Sequence, residues 1–210
     1  MIHVTHLLFF LFFYAETWPG QGDSHVPDQV IFDNLLSQAG IPNGDDEVYI
    51  GDKGTINLKS EAPLEIIQCE SKFLRGVINP ENKSFAFSVS ISSFRGFNSD
   101  IQRTHFLENY VEQRKYPQAT FIGKLIEDIP FNVPGTYSIR AKGELDVHGV
   151  RKERIIKGTL IVKNDGAQIQ TSFSVPVSDH GIAIPKIVKQ KIAEQITVAV
   201  DIEFAPGPKS

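Results

Sequence analysis

Residues 83–92 read KSFAFSVSIS, with apolar Phe85, Phe87, Val89 and Ile91 at the odd positions and Ser84, Ser88, Ser90 and Ser92 at even ones, Ala86 being neutral. A period of two is that of a strand with one face buried and the other wet. The same rhythm returns in TYSIRAKGELDV (residues 136–147), IIKGTLIVK (155–163), IQTSFSV (169–175) and ITVAVDIEF (196–204). Shorter candidates are TINLKS, LEIIQC, RGVI and ATFIGKLIE. Between them stand INPENK, PFNVPG and KNDGA, whose Pro, Asn, Asp and Gly supply turn geometry. Eight or nine strands joined by short turns make an antiparallel meander, and a meander of that length closes into a barrel or folds into a sandwich.

Two segments depart from that rhythm. From Ser99 to Gln113, Ile101, Phe106, Tyr110 and Val111 recur at helical spacing, with Ser99 or Asp100 as N-cap, and Pro117 stops the helix. In IPKIVKQKIAEQI (184–196), Pro185 suits a first helical position, and Ile187, Val188, Ile192 and Ala193 form a stripe opposite Lys186, Lys189 and Gln190. A second short helix over one end of the sheet is expected there.

The N-terminus reads as an address. LLFFLFFYA has the length of a signal-peptide apolar region and is well short of a membrane span. Cleavage after Gly22, with Gly20 at −3, fits the small-residue rule better than cleavage after Ala15. The expected organisation is a signal peptide over 1–22, an extension over 23–47 with a short amphipathic helix across 28–39, and one domain over 48–205. The implied destination is the periplasm or the exterior; the alternatives are an uncleaved apolar anchor for the N-terminal run and a partly ordered linker for 23–47.

Composition narrows the chemistry. A formal charge of −4 without a run of like charges argues against nucleic acid as a partner. Cys69 is the single cysteine, which leaves no internal disulfide and no cysteine-based metal cluster; in a strand it reads as a small buried hydrophobe. His105, His148 and His180 are far apart in sequence and form no H-x-x-x-H pattern, so no zinc motif stands out. There is no G-x-S-x-G elbow, phosphate loop or dinucleotide glycine signature. No catalytic residue, metal or cofactor is assigned, and the chain reads as a non-enzyme.

Three segments in order carry a resemblance: HFLENYVEQRKYPQATF (105–121), the Leu145, Val147, His148, Gly149, Val150 turn, and IP-IVK-KIA near the end. Together with GTINLKSEAPLEIIQ and FAFSVSISSF, over about residues 48–204, the chain resembles the YceI-like family of lipid- or polyisoprenoid-binding proteins. The resemblance implies an exported, all-β, extended antiparallel lipocalin-like barrel of about eight strands. Its interior would hold an amphiphilic lipid with a long apolar tail: a polyisoprenoid, quinone precursor or fatty-acid derivative. Many members start with a strand carrying a His-Ser pair and have a second His downstream. This chain has GDKGTINLKSEAP there, so their head-group chemistry is not carried over.

On that reading the cavity wall is Phe85, Phe87, Val89 and Ile91, facing Phe121, Leu125 and the row Tyr137, Ile139, Ala141, with the chain's sixteen glycines leaving room between them. Arg103, His105 and His148 are the head-group candidates at the mouth. His105 and His148 also have a purely structural reading, as a pin between helix and sheet and as a turn residue before Gly149. Lys186, Lys189 and Lys191 are open to two readings, transient contact with an anionic membrane surface or a solvated face. Two other functions stay open: an interaction barrel filled by its own side chains, and a lipid-modifying enzyme.

Overall fold

The computed structural model describes residues 48–207 together with 33, 34, 36, 37 and 40. The 1–22 address and most of the 23–47 extension lie outside the described residues. Asp33, Asn34, Leu36 and Ser37 are helical, within the span where the amphipathic helix is expected.

Eight strands, β1 (Tyr49–Glu61), β2 (Ile66–Ile78), β3 (Ser84–Ser90), β4 (Gln118–Leu125), β5 (Gly135–Val147), β6 (Val150–Lys163), β7 (Gly166–Pro176) and β8 (Gln195–Pro206), pair antiparallel in sequence order. β8 returns to β1, Leu58 opposite Val198, and closes the barrel. Closure decides between the two architectures the meander allowed. Alternation selects the inner face: Phe85, Val89, Leu125, Ile139, Leu145, Ile169, Val198 and Ile202 are all buried. β1, β2, β5 and β6 have 13 or 14 residues, about twice the usual strand length, so the barrel is tall.

LEIIQC and RGVI, separate candidates in the sequence, belong to one strand, β2. Its inward positions change parity between Ser71 and Leu74, where the register with β1 shifts (Ile56 opposite Ser71, Gly54 opposite Leu74). A bulge of this kind hides a continuous strand from a period-two reading and leaves Phe73 two-thirds exposed. β3 departs from simple alternation as well. Ala86 lies on its outer face yet is 1% exposed, because with Val77 it packs under Leu36, Val48, Ile50 and Ile122. Leu36 of the N-terminal extension therefore covers part of an apolar patch on the outside of the barrel.

Of the two expected helices the first is present but shorter than expected, and the second is corrected. Ser99 does cap the first, its side chain accepting from the Gln102 N–H at 3.2 Å, but the α-helix runs only Asp100–His105. It then widens into a π turn, Phe106–Tyr110, with Val111 N–H donating to the Phe106 carbonyl. The wider turn resets the helical spacing. Ile101 consequently faces outward at 67% exposure, while Leu107 and Val111 are buried. In 184–196 only a 3-10 turn forms, Lys186–Val188. Backbone groups a helix would need are engaged elsewhere: the Ala193 N–H donates to Ser60 Oγ and the Gln190 carbonyl accepts from Leu64 N–H. A segment this short cannot outbid such bonds with its own nucleation.

The glycines also do something other than expected. A Cβ on Gly51 or Gly54 would stand within 2.9 Å of the Ile202 side chain, and one on Gly76 would stand 2.7 Å from the Phe87 ring. They admit large side chains that fill the barrel. Only Gly158 lines the cavity among the described glycines.

The β5–β6 hairpin shows how the distinctive motifs meet. His148 and Gly149 both have positive φ (56° and 70°), the geometry of a two-residue type I′ turn between paired Val147 and Val150. Tyr116 packs its ring on this turn, 4.6 Å from the His148 ring, and a Cβ on Gly149 would stand 2.3 Å from it. Gly149→Ala is expected to cost about 3 kcal/mol, combining left-handed strain and displacement of the ring. In a Tyr116→Ala background only the backbone part remains, about 1 kcal/mol; denaturant unfolding of the four proteins of this double-mutant cycle checks it.

Candidate functional site

The two ends of the barrel differ. At the end holding the β3–β4 exit, the β1–β2 and β5–β6 hairpins and the 177–194 segment, long connections cross the opening. At the other end large residues close the interior. Tyr49 stacks on Phe131 (5.0 Å between centroids), Phe87 meets Phe204 (6.1 Å), and Leu160 and Ile202 are almost wholly buried.

Between them lies the candidate site, two adjoining cavities of about 110 Å³ and 490 Å³ that share Ile56, Val89, Ala119, Leu145 and Phe173 as common wall. The smaller is the deeper and is walled by Phe85, Phe87, Val89, Phe121, Leu125, Ile139 and Ala141 among others. The larger reaches the crossed end, where Val89 and Ile91 meet Phe94, Phe106, Val188 and Ile192. The walls are almost entirely apolar, and Phe85 and Phe121 rings lie 5.0 Å apart across the β3–β4 pair. Such a space can take a hydrocarbon chain and has little to offer a solvated ion.

Eight of the nine wall residues named from the sequence face one cavity or the other. The ninth, Tyr137, does not; its hydroxyl donates to the Val133 carbonyl at 2.9 Å in the β4–β5 connection. The head-group candidates separate. His105 borders the larger cavity and is exposed; Glu65, Gln102 and Lys191 border the same cavity. Gln102 donates to the Glu65 carboxylate, which fastens the helix to the β1–β2 hairpin. Arg103 does not border the cavity; its guanidinium donates to the Phe94 and Ser92 carbonyls and holds that loop. His148 also lies off the cavity, its Nδ1 3.1 Å from the His180 carbonyl and its Nε2 2.6 Å from the Glu112 carboxylate. It ties hairpin, loop and the 177–180 turn together.

Sequence reasoning passed over His180, which is fully buried and borders the larger cavity. It follows the end of β7 in a 3-10 turn (Val177–His180) closed by Gly181 at φ 69°. The available signal was a histidine directly before a glycine at the end of an apolar strand. Helical spacing places Gln102 in the helix without showing that it meets Glu65, and Lys191 reads from the sequence only as a surface cation and not as part of the cavity border. Among the described residues no group of three His, Cys, Asp or Glu stands close enough to hold a metal ion.

A closed, tall, eight-stranded antiparallel barrel with an apolar interior and one crossed end defines the class. The model of the YceI-like domain matches residues 68–204, and the chain belongs to that family. No curated protein matches it. Among solved structures, a polyisoprenoid binding domain from Saccharophagus degradans superposes with a TM-score of 0.65 at 14% identity, covering 76% of this chain and 98% of that one. BcnA of Burkholderia cenocepacia gives 0.59 at 12% identity over 71% and 95%. The Campylobacter jejuni YceI protein gives 0.51 at 16% identity over 67% and 84%. At these identities the likeness is one of fold.

Cys69 borders the larger cavity, and burial pushes its thiol up to about 12. A thiol so raised is protonated at neutral pH and a poor nucleophile. Because the folded state holds a proton that the unfolded chain gives up near pH 9, this group's contribution to stability is complete below pH 9 and is lost as pH rises toward 12. Cys69→Ala is expected to flatten the fall in stability between pH 9 and 12 relative to the parent, measured by urea unfolding across that range. Equal slopes would show that the thiol ionises freely.

Proposed function

We propose that the protein is an exported, non-enzymatic carrier that holds an amphiphilic lipid, a polyisoprenoid, quinone precursor or fatty-acid derivative, with its tail inside the barrel. The observation that carries this reading is the pair of adjoining apolar cavities running down the interior from the crossed end. A barrel filled by its own side chains would leave no such space. Burying a hydrocarbon chain there gains about 0.8 kcal/mol per methylene, which supports tight binding with few polar contacts. The binding named for the Saccharophagus degradans domain agrees in chemical class. The signal-like LLFFLFFYA supports export, and N-terminal sequencing of the mature protein tests it. Native mass spectrometry of protein purified from its source should show a lipid adduct; repeated bare-chain mass with no long-chain lipid on extraction would end the carrier reading.

Loading takes place in this scheme from a membrane surface. Leu64 (67% exposed), Ile66, Ile101 and Ile187 (91%) stand out at the crossed end, near Lys186, Lys189 and Lys191. Apolar side chains that enter the interface, flanked by cations, suit transient contact with anionic lipid. Ile187→Asp is expected to slow lipid transfer from vesicles severalfold while leaving equilibrium affinity unchanged, as followed by a fluorescent fatty acid. Deeper in the barrel, Phe87→Trp and Phe121→Trp are each expected to shorten the longest lipid accommodated without loss of fold. Unchanged length selectivity across a homologous series in both variants would remove the small cavity from the binding path.

A further inference from the structure

Two buried side-chain polar atoms among the described residues lack a partner, Ser84 Oγ and His180 Nε2, and only the second belongs to a cavity-lining residue. Buried nitrogens are almost always paired, so an orphan on a binding wall points to a partner that arrives with the ligand. The His180 ring is already oriented. Its Nδ1 lies 2.9 Å from the Val150 carbonyl, which can only accept; Nδ1 therefore carries the proton, and Nε2 of the neutral ring is a lone-pair acceptor. The backbone is fixed too, since the His180 carbonyl is held by His148 and Gly181 N–H bonds back to Ser178.

We propose that His180 Nε2 receives a small, neutral hydrogen-bond donor, a hydroxyl group, carried by the bound lipid. An anionic oxygen would meet a lone pair there. The ring has no exposed surface of its own, so a hydroxyl reaches Nε2 only as neighbouring side chains give way, which restricts the group to one of small size. The position is separate from the polar rim: His180 is anchored to the β5–β6 hairpin, whereas Glu65 and Gln102 stand at the β1–β2 hairpin, four strands away in a ring of eight. The hydroxyl is thus read on the side of the crossed end opposite the Glu65–Gln102 contact.

This inference rests on the carrier reading, and a matched pair of probes separates the two. Hexadecanol and its methyl ether differ by the O–H donor and share the tail. With the full, delipidated protein, the alcohol is expected to bind on the order of tenfold more tightly than the ether. In His180→Phe, which keeps a ring and removes the acceptor, the two should agree within about twofold. Equal binding of both probes to the parent protein, or a preference that survives in the variant, overturns the His180 assignment and leaves the carrier reading standing. Binding of neither probe overturns both. Should His180→Phe not fold, the ¹⁵N resonance of Nε2 in the parent protein serves instead. It is expected to shift with the alcohol and not with the ether, and an unmoved resonance with the alcohol defeats the assignment.

Discussion

The pairing of β8 with β1 is the contact on which everything else depends. Ladder bonds from Tyr49 to Ser60 convert an open meander into a ring, and a ring has no edge strand to shield from other chains. It also creates an inside. Eight strands enclose a space that their own side chains can just fill, so whether the interior is solid or hollow is decided residue by residue. Here Ile202, Phe87 and Phe204 crowd over Gly51, Gly54 and Gly76 at one end, while Ala119, Gly158 and the valines of β7 and β8 leave the rest unfilled.

The crossed end is organised differently, by polar contacts between connections that have no ladder of their own. Ser60 and Gln190 hold the 184–194 segment against the β1–β2 hairpin, and Gln102 and Glu65 hold the helix there. Tyr116, Glu112 and His148 fasten the opposite side. The stretch from His105 to Phe121, with its many reactive side chains, is in this light mainly structural: Leu107 and Val111 plug, Tyr116 clamps, and Phe121 turns into the barrel.

What could be read from the sequence follows the strength of local periodicity. The rows Phe85–Phe87–Val89, Phe121–Leu125 and Ile139–Ala141 each keep one parity along their strand, and a strand has no other way to bury them. Ile101 misled because a π turn between it and Val111 shifts the spacing, which composition does not announce. The 184–196 segment has helical spacing but spends its backbone bonds on distant partners. His180 was invisible as a site for the same reason: its orphan nitrogen exists only because Val150, thirty residues away, claims the other one.

The aromatic stopper formed by Tyr49, Phe131, Phe87 and Phe204 has a kinetic meaning. It makes the barrel a sheath with one opening and not a tube with two. A linear amphiphile must back out along the track by which it came, withdrawing its whole inserted length before anything is regained. At about 0.8 kcal/mol per methylene, each additional carbon slows escape about fourfold. Chain length is thereby translated into dwell time, and a protein of this shape would sort lipids by how long it keeps them.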